Sequence, residues 1–314
     1  MKDLVATREA YGKTLVELGR ENPNIVVLDA DLSVSTKTAA FRKEFPDRFF
    51  DMGVAEQDMI STAAGLAACG KIVFASTFAV FGSGRAWDQV RMSVAYTRLN
   101  VKIVVTHAGI TTGEDGASHQ ANEDIAIMRA LPNMTVIVPA DAVETVKVIR
   151  EASRFYGPTY IRLSRPKTPI IYDKKDYDFK IGKGVVMRPG KEATIFACGL
   201  MVAKSLEAAQ ELKKKNIDCR VVNLHTIKPI DKGLIVKCAE ETGAVVTAEE
   251  HSIIGGLGGA VAEVLVENTC VPMVRVGVQD MFGESGKPEE LLVKYGLTTQ
   301  NIIKAVKTVL KRKK

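Results

Sequence analysis

Short, nearly all-apolar runs rich in β-branched residues alternate along this chain with helical stretches of ten or more residues. That alternation constrains the fold more than any other feature. Runs at 25–28, 73–76, 101–106, 135–138, 160–163, 193–197, 219–224, 244–248 and 273–276 are the candidate strands. The pattern argues for strand–helix–strand units and parallel sheets. Several runs hold almost no polar residue, as expected of strands covered on both faces. At 314 residues the chain is long enough for two such units, each with its own core. The expected fold is therefore α/β: two open, mostly parallel sheet domains flanked by helices.

Helical signals fall between the runs. Asp141 and Glu144 have the spacing of a capping box, and Val143, Val146, Ile149 and Ala152 then share one face. Leu206, Ala209 and Leu212 repeat that periodicity, and the glycines at 255–259 open a further helix through Glu263 and Val266. From Pro166 to Gly184 the pattern breaks into prolines, charged residues and two glycines, which read as a connection. This predicts one domain over 1–170, a connecting segment over 171–184 and a second domain over 185–314.

Several function classes recede on composition. The net charge of +6 owes four units to the last four residues, Lys311 to Lys314; without them the body carries +2, with no basic stripe for nucleic acid. The longest apolar stretch, 72–81, is interrupted by Ser76 and Thr77 and is too short to cross a bilayer. The start lacks a basic region leading into an apolar core, so no secretory signal is read and a cytoplasmic location is expected. The five cysteines form no Cys-x-x-Cys pair and suggest neither a zinc site nor a disulfide framework; most read as small core hydrophobes.

Three segments concentrate polar chemistry. The first runs from Thr106 through His107, Gly109, Gly113, Glu114, Asp115, Gly116 and Ser118 to His119 and Gln120. It follows an apolar strand, where the carboxyl ends of parallel sheets bind ligands. Its glycines permit close backbone approach, and its imidazoles and carboxylates suit a polyhydroxylated anion. Read alone, it is equally a surface loop whose polar groups cap the next helix. The second segment, Asp51 to Gln57, leads Glu56 into a helix, where an acid also simply favours the helix dipole. In the third, Phe78 and Phe81 stand three apart before Gly82-Ser83-Gly84 and could face a planar ring, although core packing explains such pairs more often.

Taken in order, these segments resemble the pyrimidine-binding domain of transketolases. The succession is Gly-Val-Ala-Glu-Gln, Ser-Thr-Phe-Ala-Val-Phe, the His107 to His119 loop, Leu-Pro-Asn-Met, Pro-Ala-Asp and Arg-Leu-Ser-Arg. Residues 185–314 are similar to a transketolase C-terminal domain, so the likeness covers essentially the whole chain. The resemblance implies thiamine diphosphate as cofactor and transfer of a two-carbon ketol unit between sugar phosphates, as in the pentose phosphate pathway. Glu56 matches the glutamate that hydrogen-bonds the aminopyrimidine and favours the imino tautomer that removes the C2 proton. Phe78 and Phe81 match residues packed on that ring, and the family's third aromatic falls at Gly84 here. Asp31 matches a residue near the cofactor, and His119 one near the reacting two-carbon unit. Asp115 matches a contact to a sugar hydroxyl. Arg8, Ser35, His107 and Arg165 match the group that binds the sugar phosphate, where guanidinium forks suit an anion.

The family holds the diphosphate and its metal through a Gly-Asp-Gly motif and an Asn on its N-terminal domain, and no Gly-Asp-Gly occurs here. The resemblance therefore implies a separate N-terminal subunit that holds Mg2+ or Ca2+, an interfacial site and an α2β2 assembly; no metal ligand is expected on this chain. Deoxyxylulose-phosphate synthase carries an Asp-Arg where Thr106 and His107 stand. The β subunit of 2-oxoacid dehydrogenases fits the His107 to His119 loop poorly. A non-catalytic relic is the alternative of a different class, against which Glu56, Asp115, His119 and Arg165 all stand intact. The 255–259 glycines lack the residues of a P-loop and read as close packing rather than a phosphate cradle. His225 and His251 receive no role.

Overall fold

The structure, a computed structural model, describes residues 3–172 and 177–313. Two sheets carry it, both largely parallel. The first has seven strands in the spatial order Thr226–Lys228, Thr135–Ile137, Thr159–Arg162, Val101–Thr106, Ile72–Phe78, Ile25–Asp29 and Phe49–Asp51. All neighbours are parallel except the first pair. The second sheet orders Met273–Val278, Val245–Ser252, Ala193–Ala197, Cys219–Asn223 and Val185–Arg188, antiparallel only at the last pair. The α/β expectation therefore holds.

Strand side chains alternate between two cores, as the two-residue period requires. Val27, Phe74, Val104 and Ile161 face one core with Tyr11, Leu15 and Ile149 from the helices Thr7–Glu21 and Ala142–Arg154. Their neighbours Val26, Leu28, Val73, Ala75, Ile103 and Val105 face the other, with Met59, Ile60 and Ala63 of the helix Glu56–Ala68. This second core does not stop at the first sheet. Phe196, Val222, Leu224, Ile235, Leu257 and Val261 from the second half belong to the same buried cluster. The two halves thus share a core rather than merely touching.

A strand outside the candidate runs makes the same point. Thr226–Lys228 comes from the second half yet closes the edge of the first sheet against Thr135–Ile137. Lys167–Pro169 pairs antiparallel with Leu4–Ala6. Beyond it, Tyr172, Tyr177 and Phe179 are buried against the first half's core, with 173–176, part of the proposed connection, outside the described residues. Lys314 of the basic tail lies outside them too.

The local signals are met with two amendments. Asp141 accepts a hydrogen bond from the Glu144 N–H at 2.8 Å, as a helix cap does. Glu144 does not return to the cap residue, however; its Oε2 accepts from the Ala140 N–H at 2.6 Å, one residue earlier. The glycine-rich helix begins at Leu257, so Gly258 and Gly259 lie within it. Its first N–H groups are taken by a buried carboxylate: Glu249 accepts from Leu257 at 2.6 Å and Gly258 at 2.7 Å. A Cβ on Gly256 would stand 2.1 Å from Glu249 Oε2, so close packing, not a phosphate, explains that glycine. Cys198, Cys219 and Cys238 are buried, while Cys69 and Cys270 are exposed. No helix among the described residues is long and apolar enough to cross a membrane.

Candidate active site

The singled-out residues follow the carboxyl ends of adjacent strands in the first sheet, where parallel sheets open their crevices. Asp31 and Ser35 follow Ile25–Asp29, Glu56 follows Phe49–Asp51, and Phe81 follows Ile72–Phe78, of which Phe78 is the last residue. His107 follows Val101–Thr106, Arg165 follows Thr159–Arg162, and Arg8 comes from the first turn of the opening helix.

Four aromatic rings form the centre. The Phe78 and His107 rings stack at 3.8 Å between centroids, and Phe78 and Phe81 lie nearly parallel at 6.1 Å. His119 stands edge-on to both phenylalanines, 6.2 Å from Phe78 and 5.2 Å from Phe81. Glu56 adjoins this cluster and is buried to 1% exposure at the start of its helix. Its carboxylate accepts two hydrogen bonds from one Arg85 nitrogen, at 3.0 and 2.9 Å. The same guanidinium lies 4.3 Å over the Phe81 ring. Arg85 closes a π-helical turn, Phe81–Arg85, a local widening frequent at functional sites. Beside it, a Cβ on Gly84 would meet nothing within 4 Å, so that wall is open.

A basic group occupies the other end. Arg8 donates to the Ser35 carbonyl at 3.0 Å and lies 3.3 Å from His107 Nε2. His107 Nδ1 in turn lies 2.8 Å from Thr106 Oγ1. An Nε2 facing a guanidinium accepts, so Nδ1 carries the proton and the ring is neutral. Burial, then Arg8 and Arg165, push His107 down to about 3. Burial and the neighbouring Arg165 also lower Arg8 from its ordinary value. The Arg8 Nε is buried without a hydrogen-bond partner. The two guanidiniums lie near enough to act on one another; Arg165 is paired with the exposed Glu114 at 2.9 Å, and Arg8, with its unused donor, offers a place for an anion.

Asp29 ties down the segment that supplies Ser35. Fully buried, it accepts from Thr36, Thr38 and the Leu32 N–H at 2.7, 2.8 and 2.7 Å, and burial raises it to about 6. Asp31 itself is exposed in a left-handed backbone conformation, its N–H donating to Asp51. Asp115 is exposed at the end of the 3-10 turn Ile110–Asp115. Neither carboxylate joins the cluster. Among the described residues, no three His, Cys, Asp or Glu side chains gather as a metal site.

Sequence reasoning missed Arg85 and Glu250. Arg85 stood in view, four residues past Phe81, but nothing in sequence linked it to Glu56. Glu250 lies two residues past the run 244–248, in the middle of the Glu249-Glu250-His251 triplet, and its Oε1 accepts from the Thr111 N–H at 2.7 Å.

Residues 3–170 match the family described as transketolase, pyrimidine binding domain, and residues 182–302 match transketolase, C-terminal domain. A protein of Methanocaldococcus jannaschii described as a transketolase C-terminal section is 55% identical over 307 residues, 97% of this chain and 96% of that one. A Clostridium protein described as a 6-deoxy-6-sulfo-D-fructose transketolase subunit is 45% identical over 306 residues, 98% of this chain and 95% of its own. Among solved structures, one titled split gene transketolase, inactive beta4 tetramer, is 57% identical with a TM-score of 0.92, covering 99% of this chain and 100% of that one. With both halves matched and relatives aligned nearly end to end, this chain belongs to the transketolase family.

Proposed function

We propose that this chain is the C-terminal subunit of a two-chain transketolase, active only with a separate N-terminal subunit that supplies the diphosphate and metal site. The observation that carries the reading is the meeting of Glu56, Phe81, His119 and His107, from three separate stretches, around one cluster. The names of its relatives, a C-terminal section, a subunit and a split-gene enzyme, support a partner chain. We further read the assembly as an α2β2 heterotetramer in the cytoplasm, with the chain divided at 170 and 185.

The residues fit thiamine diphosphate. A buried carboxylate beside a ring face and an open wall at Gly84 suit an aminopyrimidine. When bound, that cofactor supplies an electron sink for breaking the bond next to a ketose carbonyl. Glu56 would hold the pyrimidine by accepting a hydrogen bond, and Phe78 and Phe81 would pack on it. Asp31 would lie near the cofactor. His119 would donate to or accept a proton from the reacting end of the sugar, and Asp115 would accept from a hydroxyl. Arg8, Ser35, neutral His107 and Arg165 would bind the terminal phosphate, contributing binding energy remote from the reaction. The metal, Mg2+ or Ca2+, would be the partner's.

The test mixes this chain with a transketolase N-terminal subunit, thiamine diphosphate and Mg2+, and follows ketol transfer from xylulose 5-phosphate to ribose 5-phosphate. Activity is expected only in the mixture. Turnover by this chain alone would overturn the split-enzyme reading; turnover of pyruvate only would move the chain to a different thiamine-dependent reaction.

A further inference from the structure

The loop carrying His107 and His119 is seated on the second half of the chain. Glu250, 4% exposed on the strand Val245–Ser252, accepts from the Thr111 N–H at 2.7 Å across 139 positions of sequence. Gly109 packs directly against it, and a Cβ there would lie 2.5 Å from Glu250 Cδ. The Glu250 main chain is pinned as well: Arg162 donates to its carbonyl at 3.0 Å and to the Ala121 carbonyl at 3.1 Å. Arg162 is itself locked by a buried pair with Asp124 at 2.8 Å. Carboxylate and loop therefore share one rigid support.

From Thr111 the contact passes to the basic group in one step. The Thr112 hydroxyl donates to the His107 carbonyl at 2.6 Å and lies 3.0 Å from that of Gly109. The Thr112 carbonyl accepts from the Arg165 guanidinium. The turn at 109–112 is thus tied to Glu250 on one side and to both His107 and Arg165 on the other. His107 and Gly109 both have positive φ, a conformation His107 adopts only when its surroundings enforce it. Removing the support would let the turn relax and move two of the three cationic or imidazole groups around the anion place.

We propose that Glu250 is a positioning residue for substrate: by fixing the turn at 109–112 it aims His107 and Arg165, with Arg8, at the terminal anion of the sugar. This rests on the reading of that trio as the phosphate-binding group. It gives the second half of the chain a task in the reaction beyond support of the assembly, and Glu250 performs it without touching the substrate.

The experiment compares two ketol donors in the assembled enzyme against the same unphosphorylated aldehyde acceptor. One is xylulose 5-phosphate; the other is hydroxypyruvate, which carries a ketol unit but no phosphate. Glu250→Ala should raise KM for xylulose 5-phosphate about 10- to 100-fold while leaving kcat and the KM for hydroxypyruvate within about twofold. Glu250→Gln keeps an oxygen for the Thr111 N–H and should restore KM to within about threefold of the parent. Should Glu250→Ala fail to fold, Glu250→Asp, with its oxygen withdrawn by one methylene, and Gly109→Ala, which pushes the carboxylate away, are read by the same ratio. An equal rise for both donors, or none for either, overturns the proposal while leaving the transketolase reading intact. If the parent assembly transfers from neither donor, the transketolase reading falls and this proposal falls with it.

Discussion

At one end of the cluster Glu56 is held by a single guanidinium that is itself 47% exposed. At the other, His107 lies beneath Phe78, is fixed by Thr106, Arg8 and Thr112, and is backed through Thr111 by a residue from the other half of the chain. The first end is built from one sheet and opens to solvent at Gly84. The second is enclosed by both halves: Gln120 donates to the Glu284 carbonyl at 2.9 Å, and a Cβ on Gly116 would lie 2.5 Å from Ser285 Oγ. The contrast suggests that this chain completes its anion end on its own and leaves its carboxylate end for another surface to close.

The comparison breaks most forcefully at Glu56. In the reconstituted assembly Glu56→Gln should lower ketol transfer by about 10²- to 10⁴-fold, with the circular dichroism spectrum unchanged. Near-parental turnover would remove this carboxylate from the reaction and leave its burial a structural matter. A smaller effect probes the same end in the lone chain. Arg85→Met keeps an apolar stem over Phe81 but strands the buried carboxylate. With the arginine half exposed, urea unfolding should show a loss of about 1–2 kcal/mol. Glu56→Gln placed in that background should recover most of it. Unfolding midpoints that coincide for parent and Arg85→Met would mean that the pair contributes nothing measurable, and the open end would then be unsupported altogether.

How much of this was legible in sequence depends on how far each contact reaches. The strands Val101–Thr106 and Ala193–Ala197 are readable to the residue, because burial on both faces writes itself as a mostly apolar, β-branched run that the buried Lys102, Thr106 and Thr194 do not mask. Phe49–Asp51 and Thr226–Lys228 are not: three residues carry no periodicity, and the latter joins a sheet whose other strands all precede it. The positive φ of Gly109, Gly113 and Gly116 was foreseeable from glycine itself. The positions of Glu56, Phe78, Phe81, His107 and His119 near one another followed from the ordered motifs. Arg85 and Glu250 lay outside any motif used, since a π-helical turn and a contact spanning 139 residues leave no local pattern.

The enclosed end yields the finest test, through pH. His107 is 3% exposed, and its folded value of about 3 lies below the ordinary 6.5. As pH falls below 6.5 the unfolded chain takes up a proton on this imidazole while the folded chain does not. Stability is therefore fully present above 6.5 and is lost as pH falls toward 3. His225 and His251, pushed to about 3 and about 4 by burial, act in the same sense. Glu144, Glu249 and Glu250, raised to about 7 by burial, act oppositely, since their stabilising contribution is lost as pH rises from 4.5 to 7. The total slope is thus a mixture, but the difference between parent and His107→Asn isolates one group. Between pH 6 and 4 the variant's stability should fall less steeply by up to about 1.4 kcal/mol per pH unit, the contribution of one proton. Urea titrations of both chains at half-unit intervals measure this directly. Parallel slopes would mean that the imidazole takes its proton in the folded chain as readily as in the unfolded one, and the enclosure that distinguishes this end from Glu56 would lose its electrostatic meaning.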